Sequence, residues 1–317
     1  IDEFALTISP DREKVAFLRG RGTLVVAELS KKPALINKKV LLDGWATPGG
    51  LVWSPDSKWL AYSLDDLNFN SEIYVHPADN SLDPVNVSMH PRSDSNPVWS
   101  PDGSKIAFTS IRNNLDRDVW FAWLKKSDWE KTEEDWLEAE DESENDKKEK
   151  DKKDEEEKEE AEPVKIDLKD IHERLVQVTT LPGDESSIQI SKDGKTFYFT
   201  APNPTGEGRD LFTITWEGKD IKQITQGGQN PVQVRFGSKA AYLYYLSKGR
   251  LNRQKGGNDD RESIAFSARM TINHKQEREQ IFEEAWRTLK YGFYDPEFHG
   301  RDWAELKDKN REWALQA

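Results

Sequence analysis

Short hydrophobic runs separated by turn residues dominate most of the chain. The clearest example is NPVWSPDGSKIAFTS, residues 96–110, in which an apolar run precedes a turn and a second apolar run follows it. Pro101 fixes φ at the first central turn position, Asp102 can accept a hydrogen bond from nearby backbone, and Gly103 can supply a positive φ. The pattern therefore predicts a β-hairpin.

The same turn recurs at a fixed spacing. Four serines open it at intervals of 45, 46 and 91 residues, and an aromatic residue follows each serine eight positions later. The serine–aromatic pairs are Ser9 and Phe17, Ser54 and Tyr62, Ser100 and Phe108, and Ser191 and Phe199. A degenerate fifth copy covers residues 236–238, with Tyr244 at the same offset. A period in the forties with several short strands per repeat is typical of β-propeller blades.

Each repeat also contains later apolar runs in which further strands are expected, such as 72–75, 118–121 and 210–213. A single four-stranded sheet would expose two apolar faces, so successive blades must pack on one another. We therefore predict a mainly β protein, with about five propeller blades in residues 1–266 that form part of a larger ring. Residues 264–266 would supply the last strand.

The period becomes helical after residue 276. One apolar stripe combines Ile281, Phe282, Ala285, Trp286 and Leu289, which predicts a helix beginning near Glu277. The Asp-Pro pair at 295–296 should stop it, and the Asp302 carboxylate is placed to cap a second helix. Residues 267–317 are thus predicted to be the truncated start of a helical subdomain.

The doubled interval between Ser100 and Ser191 is interpreted as an acidic insertion at 127–170. Between Glu138 and Glu162 there are fifteen Asp or Glu and six Lys, and the only apolar residues are two alanines. This composition predicts a solvated loop that is disordered or transiently helical. An acidic arm that binds a specific partner remains the alternative.

Charge and composition narrow the classes of partner. The acidic segment contributes −9 to the net charge of −13, so the remaining residues carry only −4. A nucleic-acid partner is therefore not expected, because such proteins present a basic footprint. No run of eighteen apolar residues exists, which predicts no membrane span. The chain starts with Ile1 and looks truncated, so the absence of a signal peptide carries no information.

Few residues are candidates for chemistry. Cysteine is absent, which excludes disulfides and thiolate catalysis, and there is neither a G-x-S-x-G elbow nor a phosphate-binding glycine loop. The histidines are scattered, without ligand spacing: His76, His90, His172, His274 and His299. Repeated residues are poor candidates for a single nucleophile, so the turn serines and the turn carboxylates are predicted to be structural. These carboxylates are Asp11, Asp56, Asp102 and Asp193.

An acidic loop at residues 65–70 and the numerous tryptophans are two further candidates for functional sites. Asp65 and Asp66 could bind calcium with Asn68 and Asn70, but their spacing does not match an EF-hand loop. Large aromatic side chains usually fill the space between blades, so most tryptophans are expected in the core. This set contains Trp45, Trp53, Trp59, Trp99, Trp120, Trp123 and Trp216. We predict no catalytic, metal-binding or cofactor-binding residue in residues 1–317, and no cofactor.

The repeat resembles the PD40-type blades of the Tol-system propeller protein, of prolyl-oligopeptidase-like peptidases and of tricorn-type proteases. Residues 279–306, EQIFEEAWRTLKYGFYDPEFHGRDWAEL, narrow the resemblance, because they are similar to the opening of the helical subdomain that follows the propellers in the tricorn protease family. The matching positions are Trp286, residues 293–296, His299 with Gly300, and Asp302 with Trp303. Asn310 departs from the family, which usually has tyrosine there.

The resemblance implies a self-compartmentalising serine peptidase whose catalytic histidine and serine lie beyond residue 317. His299 belongs to the fixed segment and is not the implied catalytic histidine. This chain would guide or filter peptide substrates, in a homo-oligomeric full-length protein that is cytoplasmic or, alternatively, periplasmic or exported. A non-catalytic Tol-type propeller and the propeller of a prolyl-oligopeptidase-like enzyme remain open. We also expect the isolated chain to expose an unpaired blade face and to associate.

Overall fold

The computed structural model of the chain describes residues 3–31, 34–113, 115–138, 162–237, 241–255 and 261–316. The chain divides into two compact units, Asp2–Ile264 and Ala265–Ala317. The first unit contains five four-stranded antiparallel sheets and the second contains helices, which confirms the mainly β fold predicted from the repeat. The central part of the predicted acidic insertion, residues 139–161, lies outside the described residues.

Each sheet is one repeat, and the sheets are numbered as blades 1 to 5 in chain order. Blade 1 consists of β1 (Glu3–Ile8), β2 (Lys14–Arg19), β3 (Thr23–Leu29) and β4 (Leu35–Asp43). Blade 2 consists of β5 (Gly49–Trp53), β6 (Trp59–Asp65), β7 (Ser71–Pro77) and β8 (Val85–Asn86). Blade 3 consists of β9 (Asp94–Trp99), β10 (Lys105–Ser110), β11 (Asp118–Trp123) and β12 (Leu175–Gln177). Blade 4 consists of β13 (Ser186–Ile190), β14 (Thr196–Pro202), β15 (Arg209–Thr215) and β16 (Lys222–Gln223). Blade 5 consists of β17 (Val232–Phe236), β18 (Tyr242–Ser247), β19 (Arg250–Lys255) and β20 (Arg261–Ile264).

The hydrophobic core lies between neighbouring blades. The middle strands of each blade are the most apolar, and their side chains pack against the first strand of the next blade. Leu60 and Tyr62 of blade 2 share a cluster with Leu18 and Val26 of blade 1, and Phe121 of blade 3 shares one with Phe197 of blade 4. The first strands β1, β5, β9, β13 and β17 follow one another in space in the same order as in the chain. The blades therefore stack side by side, as the repeat predicts.

Every first strand contains a bulge at the same position in the repeat. The pairing with the second strand slips by one residue there, and one residue of the first strand has a positive φ between 51° and 62°. These residues are Ala5, Gly50, Asn96, Ser187 and Gln233. Only one of the five is glycine, so the bulge is imposed by the fold and not by residue type.

The two outermost first strands are more exposed than those between them. In β1 the side chains of Phe4, Leu6 and Ile8 are exposed, whereas β9 contributes the buried Trp99 to the core. The first strand of blade 1 thus presents apolar side chains to solvent, whereas Val15, Phe17, Val25 and Ala27 of its middle strands, on the side away from blade 2, are buried. The structure therefore does not show the fully exposed blade face that the sequence led us to expect. Whether the chain associates through blade 1 stays a prediction.

The second unit contains α1 (His274–Gly292) and α2 (Trp303–Gln316). α1 begins three residues earlier than predicted, because the Asn273 side chain accepts hydrogen bonds from the backbone N–H groups of Lys275 and Gln276. Asp302 caps α2 as predicted and accepts from the N–H groups of the two residues after Trp303, at 2.9 and 3.0 Å. Aromatic contacts join the helices, with the rings of Trp286 and Trp303 4.6 Å apart and inclined by 32°.

Candidate functional site

The two ends of the blades are built from different chemistry. We call the end with the hairpins between first and second strands the turn end. The opposite end, with the hairpins between second and third strands and the connections to the next blade, is the loop end.

At the turn end, the recurring serines and aspartates hold the turns. The Ser100 hydroxyl oxygen is buried and accepts hydrogen bonds from the backbone N–H groups of Lys105 at 2.9 Å and Ser104 at 3.2 Å. Asp102 accepts from the Ser104 hydroxyl at 2.7 Å, and Gly103 has the positive φ that the turn requires, 68°. These groups have their bonding capacity committed to the backbone, and they are in no position to act as nucleophiles.

Two of the turn carboxylates, Asp11 and Asp193, have lowered pKa values. Burial acts to raise the pKa of Asp11, but hydrogen bonds from the Ser9 hydroxyl and the Glu13 N–H, with the charge of Lys14, outweigh it and lower the pKa. At Asp193, burial likewise opposes a net lowering of the pKa, which the Ser191 hydroxyl produces. Asp11 and Asp193 are therefore negatively charged at neutral pH.

A cavity of about 410 Å³ opens at the turn end between blades 3 and 4. Lys105 is almost fully buried beside it, with its ammonium nitrogen 4.3 Å from the centre of the Trp123 ring and 2.9 Å from the Ser104 hydroxyl oxygen. Burial lowers the pKa of Lys105 to about 8. Trp136 lies at the wall of this cavity and stacks on Trp123 at 5.1 Å.

Trp136 belongs to a helical segment, 133–138, that leads into the acidic insertion. On the other side of the insertion, Val164 packs against the core between blades 2 and 3 and donates its N–H to the Asp56 carboxylate at 2.8 Å. The two flanks of the segment predicted as a solvated loop are therefore packed on the blades.

At the loop end, carboxyl groups are buried between blades. Glu72, the second residue of β7, accepts hydrogen bonds from the Ser88 hydroxyl at 2.6 Å and from the His90 N–H at 3.0 Å. Asp94, at the start of β9, is fully buried and pairs with Arg112 at 2.8 Å. Burial raises the pKa of both carboxyl groups, and the Asp94 charge adds to the effect at Glu72.

The next pair of blades repeats the arrangement, with the charge of Arg209 acting to lower the pKa of Glu185. Asp118 starts β11, Glu185 immediately precedes β13, and both are buried. Thr179 joins the two elements, accepting the Val119 N–H at 2.8 Å and donating its hydroxyl to Glu185 at 2.9 Å. Burial raises the pKa of Glu185 to about 8, and the nearby charge of Asp118 adds to it. Burial and the charge of Asp116 raise the pKa of Asp118 to about 6.

Between blades 4 and 5 the carboxylate is alone. Asp210 is buried and accepts hydrogen bonds from four donors: the Thr225 hydroxyl at 2.8 Å, the Gly228 N–H at 2.9 Å, the Gln229 N–H at 3.1 Å and the Gln223 side-chain amide at 3.3 Å. The three seams thus bury an acid at the start of the third strand, and two of them add a second acid.

Sequence reasoning missed these acids. A signal for them exists in the sequence. Glu72 and Asp118 each stand fifteen residues after the left-handed turn residue of their blade, Ser57 and Gly103, and each directly precedes a run of apolar residues. The proximity of Glu72 to Asp94, and of Asp118 to Glu185, arises only when neighbouring blades pack, so the sequence does not show it.

The histidines do not form a common site. His76 is buried, where its ring lies 3.1 Å from the Tyr62 hydroxyl and 2.9 Å from the Asn80 side chain, and burial lowers its pKa. His299 has a positive φ of 55° and contacts the Tyr294 hydroxyl at 2.7 Å and the Asp295 carboxylate at 3.2 Å. Among the described residues, no group of three or more His, Cys, Asp or Glu is arranged to hold a metal ion.

In the loop between β6 and β7, the Asp66 carboxylate is hydrogen-bonded to the backbone of the same loop. Asp66 accepts the backbone N–H groups of Asn68 at 2.7 Å and Asn70 at 2.9 Å, and these bonds lower its pKa. The loop presents Leu67 and Phe69 to solvent, and Phe69 lies 5.6 Å from Trp45 in an edge-to-face contact. Trp45, which we predicted in the inter-blade core with the other tryptophans, is exposed instead, because it lies on the connection from blade 1 to blade 2.

Comparison with known proteins places this geometry among propellers. Residues 274–316 match the tricorn protease C1 domain. The structure of tricorn protease matches with a TM-score of 0.75 at 12% identity, covering 100% of this chain and 31% of that chain. Comparison with curated proteins gives no match. Across the described residues, no helix is both long enough and apolar enough to span a membrane.

Two TolB structures match more weakly. Putative TolB from Agrobacterium tumefaciens has a TM-score of 0.56 at 16% identity, covering 82% of this chain and 79% of that one. TolB from Acinetobacter baumannii has a TM-score of 0.52 at 15% identity, covering 82% of this chain and 53% of that one. The chain is therefore tricorn-like, in its fold over its whole length and in the C1 domain match of its last helices.

Proposed function

We propose that this chain is the propeller and C1 portion of a tricorn-like serine peptidase, and that its blades guide or filter peptides toward a serine site supplied by residues outside 1–317. The observation that carries the proposal is the order of the two units. A C1 match at 274–316 directly follows five propeller blades, and one tricorn protease structure aligns with both. The proposed protein is a cytoplasmic homo-oligomer.

The chemistry of the described residues is consistent with a supporting role. The recurring serines hold turns, and the buried acids at the loop end are packed between blades. In the proposed enzyme, the acyl transfer would need an activated serine and an oxyanion hole, which a separate segment would contribute. The propeller would determine which peptides reach that segment.

A non-catalytic propeller that binds protein or peptide is the second candidate. The two TolB matches favour it, because they cover 82% of the chain with a propeller fold. The C1 match separates the candidates, since it concerns helices that a Tol-type propeller does not require.

The test extends the coding sequence in both directions and assays the longer product on fluorogenic peptides. We expect hydrolysis that disappears when one serine downstream of residue 317 is replaced by alanine. A natural stop close to residue 317, with no hydrolysis by a product of any length, would favour the binding propeller and reject the peptidase.

A further inference from the structure

Trp45, Leu67 and Phe69 form an exposed apolar surface at the loop end of blades 1 and 2, which we call the Trp45–Phe69 surface. The three side chains are 46%, 85% and 74% exposed, although large apolar side chains are usually covered. They lie on two different loops that meet through the edge-to-face contact of Trp45 and Phe69. The surface is therefore assembled by the fold.

Both loops are rigidly held. In the loop of Phe69, the N–H of Asp66 donates to the Asn70 carbonyl at 2.8 Å and the N–H of Phe69 donates to the Asp66 carbonyl at 3.1 Å, in addition to the two bonds that the Asp66 carboxylate accepts. The loop of Trp45 is tied to blade 1 through Gly44, whose N–H donates to the Gly22 carbonyl at 3.3 Å. Pre-organised aromatic side chains lose little entropy on binding, which favours recognition.

The backbone at Phe69 is strained. Its φ is 61°, in the left-handed region that a bulky side chain rarely occupies. Strain and exposure of the same apolar residue both oppose folding, and the ring of Phe69 contacts Trp45, which is itself exposed. Such a combination is typical of positions that serve binding.

The acidic residues next to this surface indicate the charge of the ligand that it would bind. A cavity of about 130 Å³ adjoins Trp45, with apolar walls that include Leu42 and Leu64 and with the exposed carboxylates Asp43 and Asp65 at its edge. The neighbouring hairpin of blade 1 contributes Arg21 and Arg19, and Arg19 is paired with Glu3 at 2.8 Å. Asp43 accepts a hydrogen bond from the neutral Thr23 hydroxyl at 3.1 Å, which leaves its charge uncompensated by that contact. The excess of negative charge fits a basic side chain, whose aliphatic stem would lie on Trp45.

The area of the surface favours a short segment over a second folded copy. Three large side chains offer on the order of 500 Å², since each can bury about 150–250 Å². A stable interface between folded proteins buries roughly 800 Å² on each partner.

We propose that the Trp45–Phe69 surface binds extended peptide segments in which a basic residue is flanked by aromatic or aliphatic residues. The proposal rests on the proposed role of the propeller in handling peptides, and it names the chemical class that the loop end of blades 1 and 2 would select. The basic side chain enters the cavity beside Asp43 and Asp65, and the flanking apolar side chains contact Leu67 and Phe69.

The test measures fluorescence anisotropy of a fluorescein-labelled peptide with the 317-residue chain. The peptide has ten residues with blocked ends and one arginine between leucine and phenylalanine, and a matched peptide carries neutral citrulline in place of arginine. We expect the arginine peptide to bind about tenfold more tightly than the citrulline peptide. Equal affinity would overturn the assignment of the cavity.

Variants locate the binding. Leu67→Ser with Phe69→Asn should weaken binding of both peptides about tenfold, whereas Asp43→Asn with Asp65→Asn should weaken only the arginine peptide. Asn accepts a positive φ readily, so the first variant is expected to fold, and a urea midpoint no lower than that of the wild type checks this. Leu82→Ser is the matched control, because Leu82 is 52% exposed on the connection between β7 and β8, at the turn end.

Three results would overturn the proposal: binding unchanged in the Leu67/Phe69 variant, binding lost equally in Leu82→Ser, or self-association dependent on Phe69 in place of peptide binding. Hydrolysis by the extended protein is measured separately. Hydrolysis without Phe69-dependent binding would reject this surface alone, and Phe69-dependent binding without hydrolysis would reject only the peptidase.

Discussion

The turn carboxylates and the acids buried between blades at the loop end differ in the direction of their pKa shifts. Asp11 and Asp193 at the turn end have lowered pKa values, because neighbouring hydroxyl and N–H donors outweigh the effect of burial. Glu72 and Glu185 at the loop end have raised pKa values, because burial prevails there and a second acid lies close by. The number of donors facing a carboxyl group, and the distance to the next acid, decide its charge.

This difference indicates what each end contributes. The turn end closes hairpins with groups only a few residues apart, so each turn can form within its own repeat. The loop end joins groups from different blades, such as Asp118 and Glu185, so its acids come together only after two blades have packed. Protonation of the loop-end acids should therefore affect how stably neighbouring blades pack.

The largest expected effect is the pH dependence contributed by Glu185. Its pKa rises from 4.5 in the unfolded chain to about 8 in the folded chain, so the folded state holds a proton that the unfolded state releases between these values. The free energy of unfolding should consequently be highest below pH 4.5 as far as this group is concerned, and should fall by on the order of 3 kcal/mol as the pH rises through 8. Glu185→Gln, which is neutral at all pH values, should remove most of this slope in urea unfolding at pH 5.5 and pH 8. A variant with the wild-type slope would contradict the assignment.

At the turn end, Ser100→Ala should lower the free energy of unfolding by about 1–2 kcal/mol. The substitution removes the buried oxygen that accepts the N–H groups of Ser104 and Lys105. The Lys105 N–H loses this acceptor, whereas the Ser104 N–H keeps the Asp102 carboxylate at 3.2 Å. Urea unfolding at pH 7 measures the effect. Ser81→Ala, at an exposed serine, serves as the control and should change stability by less than about 0.5 kcal/mol. Equal effects of the two substitutions would show that the turn serines are dispensable.

Phe69→Asn at the loop end should raise the free energy of unfolding by about 0.5–1 kcal/mol, because asparagine tolerates the positive φ better than phenylalanine does. The expected gain appears as a higher urea midpoint with an unchanged slope. A lower midpoint would mean that the phenyl ring contributes packing that its exposure conceals. Measurements at Phe69 thus test whether a residue that favours peptide binding lowers the free energy of unfolding.

The smallest expected effect belongs to the turn carboxylates. Asp11→Asn and Asp193→Asn should each lower stability at pH 7 by about 0.5 kcal/mol, since both side chains are partly exposed and solvent screens their charge. Because the folded pKa values lie below 3.8, the contribution of each carboxylate is present above that pH and is lost as the pH falls further. Titrating unfolding from pH 7 to pH 3 should therefore bring variants and wild type together. This trend is opposite to that of Glu185, and a common trend would remove the distinction between the two ends.

Local chemistry explains which features were predictable from the sequence. The five blades follow from turns such as that of Ser100, Asp102 and Gly103, whose partners lie within five residues. The cap at Asp302 is equally local. The bulge in each first strand was not predicted, although it follows the same period, because the left-handed position is held by residues as different as Ala5 and Gln233.

Features that join distant residues were not predictable. Asp118 and Glu185 are separated by the whole insertion, and no pattern within either strand shows that their carboxyl groups meet. Trp45 was misplaced for a related reason: the residue type favours the core, but its position on the connection between two blades leaves it in solvent. Whether an aromatic residue is exposed depends on where its segment lies in the fold. A single sequence indicates that position only for segments that belong to the repeat.

The backbone contacts at the two ends of the acidic segment affect how easily evolution can change the length of this segment. The N–H of Lys126 donates to the Asp167 carboxylate at 2.8 Å, and the N–H of Asp167 donates to the Leu124 carbonyl at 2.9 Å. The two stems are thus clasped together independently of what lies between them. Doubling the length of a closed loop costs only about 0.6 kcal/mol. Lineages could therefore lengthen, shorten or replace this segment, or an engineer could graft a foreign domain into it, with little penalty to the blades.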